Sequence, residues 1–99
     1  MLVHSVYFWL KEDIDATEYE AFRAGLESLR DIPGVVDLYV GVPAATPPRP
    51  VVDASYTFGL VVVLEELDAH DRYQAHPLHK AFLKQFSNYW AKVLVYDVI

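Results

Sequence analysis

The chain has 99 residues, 54% of them hydrophobic and 14% aromatic, and a formal charge of −6. That length holds one domain with a thin core, so part of so much apolar surface must lie against a partner chain or a ligand. Eight basic against fourteen acidic side chains argue against phosphate-backbone recognition and anionic membranes, no cysteine is present for a disulfide or a thiolate, and no apolar run is long enough to span a bilayer.

A β-branched and aromatic run begins directly after Met1, with no basic leader before it. A cytoplasmic protein is therefore expected. Leu2 to Lys11 reads as a strand. One face carries Leu2, His4, Val6, Phe8 and Leu10, and the other Val3, Ser5, Tyr7 and Trp9. Both faces are mostly apolar, whereas a strand with one wet face alternates cleanly.

Asp15 can cap a helix, and Glu18 three residues later completes a capping box. Tyr19, Phe22, Leu26 and Leu29 follow as one apolar stripe, and Pro33-Gly34 ends the helix. Val35 to Val42 is a second strand. Residues 43–55 hold four of the six prolines and form a long loop, either a lid or edge-covering arm or a plain surface insertion. Tyr56 to Glu66 is the third strand, again apolar on both faces. Leu67 to Ala75 is a short helix. His76-Pro77 breaks it and starts another, which is expected to run to about Trp90 with Phe82, Phe86, Tyr89 and Trp90 along its stripe. Val93 to Val98 is the last strand.

The order β-α-β-β-α-β is the ferredoxin-like α+β pattern, a four-stranded antiparallel sheet with its helices on one face. The other face is left bare although its residues are apolar. The expected solution is a homodimer through the helix-free face, sheet against sheet, closing a dimeric α+β barrel.

The string Tyr73-Gln74-Ala75-His76-Pro77-Leu78-His79-Lys80-Ala81-Phe82 resembles the signature of the stress-responsive A/B barrel (Dabb) family. The opening Val3-His4-Ser5-Val6, the turn Ile32-Pro33-Gly34-Val35, the strand Tyr56-Thr57-Phe58-Gly59-Leu60-Val61 and the close Val93-Leu94-Val95-Tyr96-Asp97 agree with it. The resemblance covers nearly all of residues 1–99 outside the loop. It implies a single ferredoxin-like domain and a dimer. It leaves function open between stress proteins that form stable assemblies and plant polyketide cyclases that use a tyrosine and a histidine. In the cyclases, Tyr73 and His79 would take the catalytic positions and His4 a supporting one. Phe58 departs from their pattern, which has a histidine there. Some relatives hold a hard cation on backbone carbonyls, which here would lie near Leu29, Ile32 and Val35.

The residues themselves allow the same chemistry. His79 stands near the start of the last helix, whose positive end disfavours imidazolium and leaves a neutral base. Tyr73 precedes it across the Pro77 break and can polarise a carbonyl. His4, Phe58 and Phe82 are expected to line the pocket. The ligand is then a small, mostly apolar carbonyl compound, and no cofactor is called for. No metal site is expected, because no H-x-x-x-H or carboxylate cluster marks one. The competing reading is a non-catalytic stress or assembly protein with a filled interior. In it, His79 makes a structural hydrogen bond and Tyr73 belongs to the core. His76 is expected to cap a helix, and His70, among Asp68, Asp71 and Arg72, to be a solvated surface residue.

Overall fold

The computed structural model describes residues 1–99. Its elements are β1 (Leu2–Leu10), α1 (Ala16–Ser28) with a 3-10 turn at Leu29–Asp31, β2 (Val35–Gly41), β3 (Phe58–Leu64), α2 (Leu67–Ala75), α3 (Pro77–Phe86) and β4 (Trp90–Val98). The sheet is antiparallel in the order β2-β3-β1-β4. This is the expected ferredoxin-like arrangement.

Local chemistry sets the helix ends. Asp15 accepts from the Glu18 N–H while Glu18 accepts from the Asp15 N–H, the reciprocal capping box. Gly34 takes φ of 93°, a left-handed angle that glycine adopts at little cost, and turns the chain into β2. At the α2–α3 junction His76 is extended, and its Nδ1 accepts from the Leu78 N–H at 3.1 Å. His76 is thus the cap that the sequence suggests, and Pro77 holds the first helical position.

Two of the boundary differences bear on the site. Thr57 lies outside β3, with its N–H donating to the Phe8 carbonyl at 2.7 Å and its hydroxyl accepting from the Leu10 N–H. Trp90 is not the end of α3 but the first residue of β4. A bulge causes this, because Trp9 pairs with Lys92 while Leu10 pairs with Trp90. The extra residue, Ala91, flips the side-chain alternation and turns Trp90 onto the helix side. Helical periodicity and a bulged strand start both place Trp90 beside Phe86, so spacing alone does not separate them.

Leu2, His4, Val6 and Phe8 of β1 and Phe58, Leu60, Val62 and Leu64 of β3 are buried beneath the helices. Phe22 at the centre of α1 is fully buried, with its ring 5.2 Å from that of Phe8, 5.7 Å from Phe58 and 5.6 Å from Phe86. Gly25, one helical turn on, lets α1 approach α3. A Cβ there would stand 2.4 Å from the Phe86 ring, which is itself buried. Gly25→Ala is therefore expected to destabilise. Overpacking costs about 1–3 kcal/mol, and the helix-propensity gain of about 1 kcal/mol offsets only part of it. Thermal unfolding followed by circular dichroism should show Tm lowered by roughly 5 °C; an unchanged or raised Tm would mean that Phe86 swings aside freely.

Candidate functional site

The helices cover β2, β3 and β1 but stop short of β4. Register places Val93, Val95 and Asp97 opposite Phe8, Val6 and His4, on the helix side of the sheet. Val93 and Val95 are nonetheless half-exposed. The gap between this edge and the α2–α3 elbow is a cavity of about 210 Å³. Its apolar wall includes Val6, Phe8, Leu60, Phe82 and Trp90, and its polar residues are His4, Tyr73, Gln74 and His79. Phe82 and Trp90 stack, with centroids 6.2 Å apart, so the bulge that reorients Trp90 also builds this wall.

The break at Pro77 folds α2 and α3 so that Tyr73 and His79 meet, with ring centroids 5.0 Å apart. Tyr73 is fully buried and His79 almost so. The Tyr73 hydroxyl and His79 Nδ1 are both buried without a hydrogen-bond partner. Each such atom costs about 1–3 kcal/mol. Burial pushes the Tyr73 hydroxyl well above the ordinary tyrosine range, so it remains a donor. Burial also lowers the His79 pKa, with nearby His4 and His70 adding to the effect. Its place in the first turn of α3 works in the same direction. His79 is therefore a neutral imidazole near pH 7.

His4 is 4% exposed and lies on the same wall, its ring 5.8 Å from that of Tyr73. Its Nδ1 is 2.5 Å from Asp97 Oδ1. Two opposing effects act on it. Burial lowers its pKa, the Asp97 contact raises it, and burial is the larger, leaving a net lowering.

Of the five residues singled out in the sequence, four share this cavity: His4, Tyr73, His79 and Phe82. Phe58 does not. It is wholly buried under α1, with its ring 4.6 Å from that of Tyr19 and the Arg23 guanidinium carbon 5.1 Å above it. Its even position on β3 selects the helix side, but α1 rather than the α2–α3 elbow lies over it. His70 also departs from expectation. Its side chain is 19% exposed, its ring lies 5.1 Å from His4, and its Nε2 is 4.0 Å from Asp97 Oδ2. It stands three residues before Tyr73, a spacing that shares a helix face whatever its neighbours' charge. Asp97 was not singled out. A lone carboxylate at the end of an apolar strand, on the side-chain alternation that faces His4, is the signal that marks it.

The Leu29 and Ile32 carbonyls accept from the Ile32 and Val35 N–H groups, closing the turn after α1. No helix is long and apolar enough to cross a membrane.

Protonation gives a check on this geometry. A histidine with a folded pKa below about 6.5 binds fewer protons folded than unfolded, so stability rises with pH between the two values. Acidification below about pH 6.5 should therefore lower Tm, and His79→Gln should flatten that fall. It should not abolish the fall, because His4 is shifted in the same direction. Parallel pH–Tm curves for both proteins would contradict a buried neutral His79.

Over 95 residues the chain is 25% identical to olivetolic acid cyclase from Cannabis sativa, covering 95% of this chain and 91% of that protein. A ferredoxin-like Dabb family protein from Mesorhizobium loti superposes with a TM-score of 0.80 at 27% identity, covering 99% of this chain and 94% of that one. A dimeric ferredoxin-like protein of unknown function from Thermobifida fusca gives a TM-score of 0.80 at 21% identity, covering 98% and 88%. The family model for the stress responsive A/B barrel domain matches residues 2–99, the whole of the sheet and all three helices, and the chain belongs to that family.

Proposed function

We propose that this protein acts by acid–base chemistry on a small, mostly apolar carbonyl compound held in the cavity between β4 and the α2–α3 elbow. His79 is the base and Tyr73 the hydrogen-bond donor. The neutral imidazole takes a proton from the carbon next to the carbonyl, and the Tyr73 hydroxyl donates to the enolate oxygen as charge develops there. The enolate carbon then attacks a second carbonyl carbon of the same molecule. One carbon–carbon bond forms, and the imidazolium returns its proton to the new alkoxide. Only protons pass between protein and substrate, and the new carbon–carbon bond is matched by the carbonyl π bond that becomes the alkoxide, so the step asks for no cofactor.

The observation that carries this reading is that Tyr73 and His79, each with a buried polar atom that has no hydrogen-bond partner, both line this cavity. A small domain has about 5–15 kcal/mol of stability in total. A purely structural interior would fill the space and pair both atoms. A ligand carbonyl supplies an acceptor for the Tyr73 hydroxyl, and an acidic C–H faces the imidazole. The similarity to a cyclase over nearly the whole chain supports the same class of reaction. Phe58 lies outside the cavity, so polar recognition rests on Tyr73, His79, His4 and Gln74. The cavity of about 210 Å³ exceeds the roughly 150 Å³ that admits benzene, which suits one ring with a short chain.

The test is a blocked cavity. Val95 is half-exposed on the rim. Val95→Trp should fill the space and abolish saturable binding of an aryl methyl ketone, read by ligand-observed NMR, without lowering Tm. Equal binding by wild type and variant would place the ligand elsewhere.

The bare sheet face supports a homodimer, the state of the Thermobifida relative. Val3, Tyr7, Trp9, Val61 and Val63 lie on it with Leu94, Tyr96 and Val98 of β4. Tyr96 and Val98 are 57% and 63% exposed in the single chain. Docking a second copy on this face would bury roughly 600–800 Å² per chain, ordinary for a stable interface. The 43–55 loop returns at its edge, where Ser55 Oγ accepts from Trp9 Nε1 at 3.0 Å.

A further inference from the structure

Around His4, which lines the cavity, stands a cluster that the acid–base pair does not use. His4 comes from β1, His70 from α2 and Asp97 from β4. Each presents one nitrogen or carboxylate oxygen, and the three atoms lie within 4.8 Å of one another. We propose that His4, His70 and Asp97 bind a divalent transition-metal ion.

The donor set selects the class of ion. Two imidazoles and one carboxylate suit zinc, cobalt, nickel or iron, whereas calcium and magnesium take oxygen ligands. The spacing is compatible. Donors about 2.0–2.1 Å from a four-coordinate ion lie about 3.3 Å apart. Here His4 Nδ1 is 2.5 Å from Asp97 Oδ1 and His70 Nε2 is 4.0 Å from Oδ2. These two contacts, made to different oxygens of the same carboxylate, lie on either side of that spacing. Asp97 is 41% exposed on an edge strand, so its carboxylate has room to rotate between the two rings.

Two further features favour an ion over a plain hydrogen bond. His70 Nδ1 lies 3.5 Å from Asp71 Oδ1. A carboxylate on the far nitrogen commonly orients a metal-binding imidazole, and the exposed Asp71 side chain would have to close by a few tenths of an ångström to make that bond. No lysine or arginine pairs with Asp97, whose basic neighbours are these two histidines. Two neutral imidazoles and one carboxylate sum to −1, which a divalent cation more than neutralises. Three protein ligands leave a fourth position for water or a ligand oxygen, on the side of the cavity that His4 lines. The ion would tie α2 to the otherwise uncovered edge strand. This site goes beyond the acid–base reading, and neither needs the other.

The experiment is a titration of chelator-stripped, full-length protein with cobalt(II) at neutral pH, followed by its visible d–d absorption, with zinc then added to displace it. The expected result is one-to-one uptake with Kd of about 10 µM or tighter and the intense absorption of a four-coordinate ion. His70→Ala and Asp97→Asn, both at partly exposed positions and checked for folding by circular dichroism, should each weaken uptake by about tenfold or more. No uptake by the wild-type protein overturns the proposal, as does uptake that both folded variants retain. Neither result touches the His79 chemistry, which is read on substrate in the presence of chelator.

Discussion

His79→Gln is expected to lower turnover of a carbonyl substrate by about 10²–10⁴-fold, the range for removing a general base. Glutamine keeps a polar side chain of similar reach but takes up no proton, so KM should move far less than kcat. Tyr73→Phe should cost about 10²–10³-fold, the range for one oxyanion donor. It also removes a buried hydroxyl that has no partner, and so should hold or raise Tm. Gain of stability with loss of rate is the signature of a group kept for chemistry. A Tyr73→Phe protein that loses stability and keeps its rate would return Tyr73 to the core. The pH profile follows from the same two groups. His79 titrates below its ordinary value and Tyr73 above its own. Activity should fall only on the acid side, with a midpoint below about 6.5, and stay level beyond pH 9. His4 and His70 lie close enough to His79 to share in lowering that midpoint.

Val61→Asp is expected to abolish the dimer. Val61 sits on β3, with β1 on one side and β2 on the other, at the middle of the helix-free face. An uncompensated carboxylate in a sheet-to-sheet interface costs several kcal/mol on each side of the two-fold. Val61→Thr keeps the shape and should keep the dimer. Light scattering after size exclusion separates the outcomes. A Val61→Asp protein that stays dimeric at micromolar concentration would move the interface to another surface. Because the bare face is apolar, the separated chain should also aggregate more readily.

Much of this was legible in the sequence, for definite physical reasons. The capping box, the Pro33-Gly34 stop and the His76-Pro77 break act within a few residues, so local chemistry fixes them. Strands apolar on both faces require cover on both, which gives the layer order and the expectation of a partner. Tyr73, His79, His4 and Phe82 share a cavity because the break and the strand alternation fix their sides. The failures concern what local spacing does not carry. Phe58 has the correct face, but which helix lies over it is a tertiary fact. Trp90 is turned by a one-residue bulge that no periodicity marks. His70 is surrounded by charge in sequence, yet a helix shows its neighbours at three and four residues rather than at one. Asp97 gains meaning only when the β1–β4 register sets it opposite His4.

The proposed reaction begins when a neutral His79, beside the Tyr73 hydroxyl, removes a proton next to a bound carbonyl. Its most direct test is hydrogen–deuterium exchange at the α-carbon of an apolar aryl-alkyl methyl ketone in deuterium oxide at neutral pH, followed by proton NMR with chelator present. The wild-type protein should accelerate exchange with saturation in ketone, and His79→Gln and Tyr73→Phe should return it toward the buffer rate. Exchange at the buffer rate with wild-type protein while the ketone is bound in the cavity would rule out His79 as the base.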